Sequence, residues 1–498
     1  METVLRVLSE DEKTQVHERS LKILSETGVK VNTAKGRQYL KDAGAEVDEK
    51  SNIIKFPRAM VEESLRLAPK DFTLGARRPG WDLPMNAGEC SLIADGEGIS
   101  VIDRKTGEHR PSTLNDWLEA TRLIDALDEV GVYWDMVGHG DAEESISSAV
   151  KHWRHIFSNF SKHVQDASPN AEFSPWLLEI IQAIFGDKET VRRTHPFSFL
   201  VCPQSPLEIE EKRTDAYLEF LGWDIPIAVM PMPLMGGTGP GNMISMTILC
   251  NCEVLAMLCL IQAAEPGTPF IYAPVLAMMN PRTGSYSAGA IENGLLSSAG
   301  IEMARYYGLP VEGTGGGTDT YAPGIQASYE RAMNSLIPTL SWPDLIVGSG
   351  LLGGSMVLSL EQLVIDAEVF RMSKQAHRGI LTNDEMWLDD VIQRVGPGGN
   401  FLGEKSTAAN MLSGEWMIPR LGIHDAQESW ALAGKKNILE EAREKVENLL
   451  STHKPLTLSD DVEKELDKIQ KRANRSSEQR AVTPERLERS TNGCLGDC

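Results

Sequence analysis

The chain has 498 residues, 41% of them hydrophobic, and a formal net charge of −22. That length suits one elaborated domain or two to three smaller ones around a sizeable core. The acidic balance argues against binding a phosphate backbone, which needs clustered Lys and Arg. Seven cysteines, an odd number in a large chain, point to a reducing cytoplasm and away from a disulfide scaffold. The opening METVLRVLSEDEK lacks the basic head and apolar core of a secretory signal. The longest apolar run, residues 243–264, is broken by Asn251 and Glu253 and reads as a buried helix, so no membrane span is expected.

Residues 10–28 space Val16, Leu21, Ile23 and Leu24 along one helical face that Gly28 stops, and two short helices follow at 34–44 and 57–68. Residues 71–110 change texture to short β-like runs, with hairpin signals at Asp95-Gly96 and Thr106-Gly107. The segment 1–112 is therefore expected to be a helical and antiparallel-β lead-in. From Pro111 onward a strand and then a helix recur at regular intervals. Strand candidates lie at 132–137, 163–165, 197–202, 226–230, 270–272, 310–312 and 345–347, and an eighth is expected either at 380–381 or from the early hairpins. Such alternation implies parallel pairing through right-handed crossovers, and eight units close into a barrel. The alternative, an open doubly wound sheet, lacks the early GxGxxG that would mark it. The expected fold is thus α/β: a TIM (β/α)8 barrel over 113–382, followed by a helical C-terminal extension over 383–498 that ends in a polar tail.

Barrels of this kind build their sites where strands end. The densest such stretch is residues 311–326, VEGTGGGTDTYAPGIQ, where Glu312 precedes four glycines in five residues and then Asp319, Tyr321 and Gln326. Glycines either bring the backbone close to a ligand or only make a tight turn. Other exits supply Trp134, Asp135, His139 and Asp141; His163, Gln165 and Asp166; Gln204; Met235 and Gly237; Tyr272 and Tyr286; and Ser349. Aromatic, amide and carboxylate groups with few cations suggest a small cationic ligand. His152 and His155, three apart on a helix, could share a metal, but no third ligand is evident, and Cys494 and Cys498 lack neighbouring histidines. No GxSxG elbow and no P-loop occurs.

With PMPLMGGTGP at 231–240, GTGGGTDTYAPGIQASYE at 313–330, GSGLLGGS at 348–355 and VIQRVGPGGNFL at 391–402, the chain resembles the trimethylamine methyltransferase family over most of residues 1–450. The resemblance implies a TIM barrel that hands a methyl group from a methylated amine to the cobalt of a separate corrinoid protein. Founding members carry pyrrolysine in the barrel. Only standard residues are present here, with Tyr321 and Ala322 in the comparable region, which implies the non-pyrrolysine branch and a quaternary amine donor: glycine betaine first, then proline betaine, carnitine or γ-butyrobetaine. Glu312, Asp319 and His163 are then expected as catalytic or orienting groups. Trp134, Gln204, Tyr272, Tyr321, Gln326 and Gly237 are expected to touch substrate. Because no D-x-H-x-x-G corrinoid-carrier motif occurs, cobalamin is expected to arrive on a cognate partner docked at the barrel mouth, with no nucleic acid or membrane involved. The competing readings are a metal-dependent lyase with Glu312, Asp319 and His163 as ligands, and a non-catalytic betaine-binding subunit. The acidic surface and long helical extension permit a homo-oligomer.

Overall fold

The computed structural model describes residues 2–138 and 145–481; His139, Asp141, Cys494 and Cys498 lie outside them. Eight parallel strands form one barrel: β1 (Ser91–Ala94), β2 (Val130–Tyr133), β3 (His163–Asp166), β4 (Phe197–Val201), β5 (Ile227–Val229), β6 (Phe270–Tyr272), β7 (Glu312–Thr314) and β8 (Leu345–Ser349). They follow one another around the ring in chain order, and β8 returns to pair with β1. A single bridge from Tyr272 to Val311 joins β6 to β7 and closes the ring. The helices that follow the strands are α1 (Leu114–Ala126), α2 (Ile146–Asn159), α3 (Ser174–Phe185), α4 (Lys212–Leu218), α5 (Met243–Ala264), α6 (Ile291–Tyr306), α7 (Ile325–Leu340) and α8 (Leu360–Arg378).

The eighth strand comes from the early β-like stretch and not from residues 380–381. That stretch divides three ways. The antiparallel pair Phe72–Leu74 and Leu83–Met85 closes the N-terminal end of the barrel, with Leu74 and Met85 packed against the interior residues Ile93, Val132, Ile271, Leu345 and Val347. Ser91–Ala94 is β1 itself. The pair Ser100–Ile102 and His109–Pro111 is a hairpin whose turn holds Thr106-Gly107, and it pairs onward with Val357–Leu358 after β8. Asp95-Gly96 is therefore a strand exit and not a hairpin turn: the Asp95 N–H donates to Ser349 O across the β1–β8 edge.

The helices Glu10–Glu26, Ala34–Asp42 and Arg58–Leu67 pack over α5. This explains why α5 is apolar on every side: among the described residues it is the one helix long and apolar enough to cross a membrane, and it is buried between that N-terminal layer and the barrel wall. Asn251, the polar break in the run, is fully used there. It donates to Ser20 Oγ and Tyr307 Oη, both at 2.9 Å, and accepts from Tyr272 Oη at 3.2 Å. Helix α4 after β4 is short, because Glu208–Ile209 leaves to pair with the strand Val29–Val31. Two further long helices, α9 (Ile438–Thr452) and α10 (Asp460–Ala481), fold back against the barrel's helical shell.

Candidate active site

Strands β3 and β7 lie four places apart in either direction round the ring. A contact between them therefore crosses the barrel. Gln165 Nε2 on β3 donates to Glu312 Oε2 on β7 at 3.0 Å, and Gln165 Oε1 accepts from Trp134 Nε1, just past β2, at 2.6 Å. This row of indole, amide and carboxyl lies above the apolar filling and floors the open, C-terminal end. Glu312 is fully buried, and its Oε1 has no hydrogen-bond partner among the described residues. Burial pushes its carboxyl up to about 8, and the Gln165 hydrogen bond offsets only part of that rise. Cys202 lies close enough to feel the Glu312 charge, and burial pushes its thiol up to about 12.

Asp319 does different work. It accepts from Ser287 Oγ at 2.7 Å and from the Gly289 N–H at 3.0 Å, tying the loop after β7 to the loop after β6. Gln326 donates to Glu330 at 2.9 Å, and the Glu330 carboxylate also takes Thr318 Oγ1 at 2.5 Å and the Asp319 N–H at 3.0 Å. Tyr321 is 60% exposed on the rim, its ring laid over Gly353, where a Cβ would come within 2.5 Å of it. Gly237 sits in an exposed turn after β5, donating to Leu234 O at 2.9 Å, and exposed Gln204 exchanges backbone bonds with Glu208. The glycine run approaches protein and not an open space: a Cβ on Gly316 would lie 2.5 Å from Gly348 O, and one on Gly317 would lie 2.4 Å from Ala288 O.

Two expected site residues are placed elsewhere, Tyr272 by strand parity and His163 by its depth in the barrel. Ile271 and Ala273 face the interior, so Tyr272 between them faces out and packs under α5. His163 begins β3 and lies two residues below Gln165, at the plugged end. Its Nδ1–H donates to Gly75 O at 2.9 Å, so its Nε2 accepts from Ser198 Oγ at 2.8 Å. Burial holds its pKa down to about 4, so it is a neutral structural imidazole. We expect His163→Leu to lower stability by about 1–3 kcal/mol, because it strands a buried carbonyl and hydroxyl. A denaturation comparison with the wild type checks this.

Sequence reasoning listed Gln165 among the exits but did not select it, although it shares the inward face of His163 and lies two residues nearer the open end. It also passed over Asp95, whose carboxylate accepts from Ser355 Oγ at 2.6 Å and which burial pushes upward. His152 does not look for a metal. It pairs with Asp135 at 2.7 Å outside the barrel wall, where Trp117 Nε1 and Tyr133 Oη also bond the same carboxylate. Burial opposes its charge, but Asp135 prevails and raises it to about 9. Among the described residues no group of three His, Cys, Asp or Glu could hold a metal ion.

Residues 2–477 match the family model described as trimethylamine methyltransferase (MTTB). The chain belongs to that family. It is 30% identical over 454 residues to a trimethylamine methyltransferase MttB of Desulfitobacterium hafniense, covering 91% of each chain. It is 30% identical over 486 residues to the corresponding Methanosarcina barkeri protein, covering 95% and 96%. A glycine betaine methyltransferase of D. hafniense strain Y51 is 28% identical over 465 residues, covering 92% and 95%. Among solved structures, a hydroxylamine complex of MtmB aligns with a TM-score of 0.48 at 13% identity, over 93% of this chain and 92% of that one. Membership of a methyltransferase family makes the chain an enzyme and sets aside the metal-dependent lyase and the non-catalytic subunit.

Proposed function

We propose that this enzyme moves a methyl group from a quaternary amine, with glycine betaine the first choice, to the cobalt(I) of a corrinoid carried by a separate protein. The observation that carries the reading is the Trp134–Gln165–Glu312 row across the barrel. A quaternary ammonium already carries its charge, so its amine departs neutral and no proton donor is required at nitrogen. The task left to the protein is to hold the donor in line with its acceptor and exclude water. The face of Trp134 takes the trimethylammonium group, a contact worth roughly 0.5–2 kcal/mol when desolvated.

Glu312 takes the other end. At neutral pH its carboxyl keeps its proton, and the oxygen that Gln165 leaves free donates to the substrate carboxylate. A neutral acid suits the reaction better than an anion, which would bind the cationic substrate more tightly than the charge-losing transition state. Trimethylamine has neither a permanent charge nor a carboxylate and would use neither contact.

The corrinoid supplies the nucleophile when its carrier is docked. The mouth offers a surface for such a partner: Ile99, Met232, Tyr321 and Ile325 stand exposed on its rim, as at protein contact sites. Action in the cytoplasm is part of the proposal, supported by five free thiols among the described residues. The test mixes the purified enzyme with free cob(I)alamin, or with a corrinoid protein, and a panel of methylated amines, and follows methylcobalamin by its absorbance. Glycine betaine should react and trimethylamine should not. Reaction with trimethylamine alone would overturn the substrate assignment, and silence across the panel with a corrinoid protein present would overturn the acceptor.

A further inference from the structure

At the mouth the sheet parts between β2 and β3. Their paired register ends at Tyr133 and Val164, just short of Trp134 and Gln165. Beyond it each strand follows its other neighbour. β3 stays in register with β4 as far as Asp166 and Phe199. The chain after β2 keeps to the exit of β1: the Glu97 N–H donates to Asp135 O at 2.7 Å, the Gly98 N–H donates to Met136 O at 3.0 Å, and Gly98 bridges to Val137. Inside the barrel the Trp134–Gln165 hydrogen bond spans the parting, side chain to side chain, at 2.6 Å. Strand ends that moved apart by about 1 Å would break it, because such a bond weakens past roughly 3.2 Å.

Outside the wall a second link spans the same parting. Successive residues of a strand face opposite sides, so Asp135 and Asp166, which follow Trp134 and Gln165, turn outward. The register that sets Trp134 beside Gln165 also sets these two carboxylates beside each other. Like charges so placed repel and would widen the gap. Helix α2, which connects the two strands, meets them with consecutive residues: His152 Nε2 pairs with Asp135 at 2.7 Å, and Trp153 Nε1 donates to Asp166 Oδ2 at 3.0 Å. Trp117 Nε1 and Tyr133 Oη also serve Asp135. Of these donors only His152 brings a positive charge. Burial opposes that charge, but Asp135 and, further off, Asp166 sustain it. Asp166 in turn is raised by burial and by Asp135, and His152 pulls it back.

We propose that His152 is a positioning residue for the methyl-transfer site: from outside the wall its imidazolium holds together the two carboxylates that follow Trp134 and Gln165, and so keeps the indole and the amide in contact inside. In the function proposed above, on which this role rests, the face of Trp134 takes the ammonium group. With the strand ends held, the indole rests on Gly96, where a Cβ would lie 3.1 Å from its Cε3. With the ends apart, Gln165 keeps its hydrogen bond to Glu312, which does not cross the parting, and Trp134 alone is set loose. Packing does not call for this arrangement. α2 already buries Val150, Trp153, Ile156 and Phe157, and apolar residues would close the wall at least as well as two carboxylates and one cation.

The test reads Trp134 itself as well as the reaction, at neutral pH on the full-length protein. The emission of Trp134 is isolated by subtracting, for each protein, the spectrum of the same protein with Trp134→Phe. His152→Gln keeps a donor and removes the charge. It should shift that emission to the red and raise KM for glycine betaine about tenfold with little change in kcat, as the loss of one cation contact in binding does. His152→Gln combined with Asp166→Asn restores the summed charge of the wild-type trio and should return both readings toward wild type. His152→Lys, which keeps the charge without the ring, should keep the wild-type emission, and it decides the matter should His152→Gln fail to fold. An unshifted emission in His152→Gln overturns the proposal, as does a double variant no better than His152→Gln or a red-shifted His152→Lys protein. Emission that follows the expected pattern while no methylated amine reacts upholds the positioning role and overturns the substrate assignment.

Discussion

Glu312→Gln should keep most of the methyl-transfer activity at neutral pH and lose the alkaline fall of the wild type, whereas Glu312→Ala should lose about 10–100-fold. The factor is the roughly 1.5–3 kcal/mol of a hydrogen bond to a charged group. The expectation turns on the protonation state. With the carboxyl pushed up to about 8, the wild type holds its proton at pH 7 and gives it up through pH 8, so kcat/KM for glycine betaine should decline across that range. Glutamine has nearly the same shape, donates from nitrogen and does not titrate. Stability gives an independent reading. The carboxyl titrates ordinarily at 4.5 and in the folded protein at about 8, so between those values the folded chain holds a proton that the unfolded chain releases. The stabilising contribution is therefore full below 4.5 and is lost as pH rises to about 8. Glu312→Gln should gain in unfolding free energy over the wild type at pH 8 and much less at pH 5, by on the order of a few kcal/mol in the difference. A folded Glu312→Gln enzyme as inactive as Glu312→Ala would show that the anion is required, and would sink the donor role.

Asp366→Ala should cost about 3–5 kcal/mol, the toll of leaving a buried charge without its partner. Arg331 on α7 is only 1% exposed, and its Nη1 donates to Asp366 Oδ2 on α8 at 2.5 Å and to Gly348 O at 3.2 Å. Asp366 also accepts from the Gly350 N–H and from Gln362 Nε2, both at 2.8 Å. One carboxylate thus holds two helices and the turn after β8. The strand end that leads into it has no slack: Gly348 adopts φ +124°, and a Cβ there would lie 1.8 Å from Gly315 O. Without Asp366 the guanidinium keeps only a carbonyl. The loop after β8, which carries Ser355 to Asp95 at the mouth, loses its anchor. Denaturant unfolding should show the loss. The paired change Arg331→Met with Asp366→Leu should cost less than Asp366→Ala alone, because it removes the charge together with its counter-charge. An Asp366→Ala protein within 1 kcal/mol of the wild type would contradict this account.

The barrel was legible from its rhythm, because a βαβ crossover leaves short apolar runs that end in glycine and polar residues before each amphipathic stretch. The first strand was left between two places, the early β-like stretch and residues 380–381, since Ser91–Ala94 is only four residues long and its exit Asp95-Gly96 is chemically the same signal as a hairpin turn. Glu312 stood out in the sequence because a carboxylate at the end of an apolar strand has few uses in packing, and the fold buries it against Gln165. His163 was misjudged in depth along its strand and Tyr272 in parity. A two-residue step separates Gln165 from His163 in depth, and a one-residue step puts Tyr272 on the other side of the wall from Ala273. The glycine run was read partly as an approach to ligand, but the approach is to Gly348 and Ala288, whose positions are set by segments distant in the chain. Nothing in the amphipathic pattern of residues 380–436 could reveal that the fold leaves Leu402, Leu412 and Leu432 exposed, because periodicity shows which residues seek burial and not what buries them.

The hairpin of Phe72–Leu74 and Leu83–Met85 makes the barrel a vessel with a floor. A tube open at both ends could take its amine from one side while a carrier sat on the other. A vessel with one opening imposes a sequence in time. Under the function proposed above, the amine would have to be seated before the corrinoid carrier covers the mouth, and the demethylated product would stay inside until the carrier lifts away. Turnover would then be paced by how briefly the carrier stays, and a carrier that binds too tightly would act as a stopper.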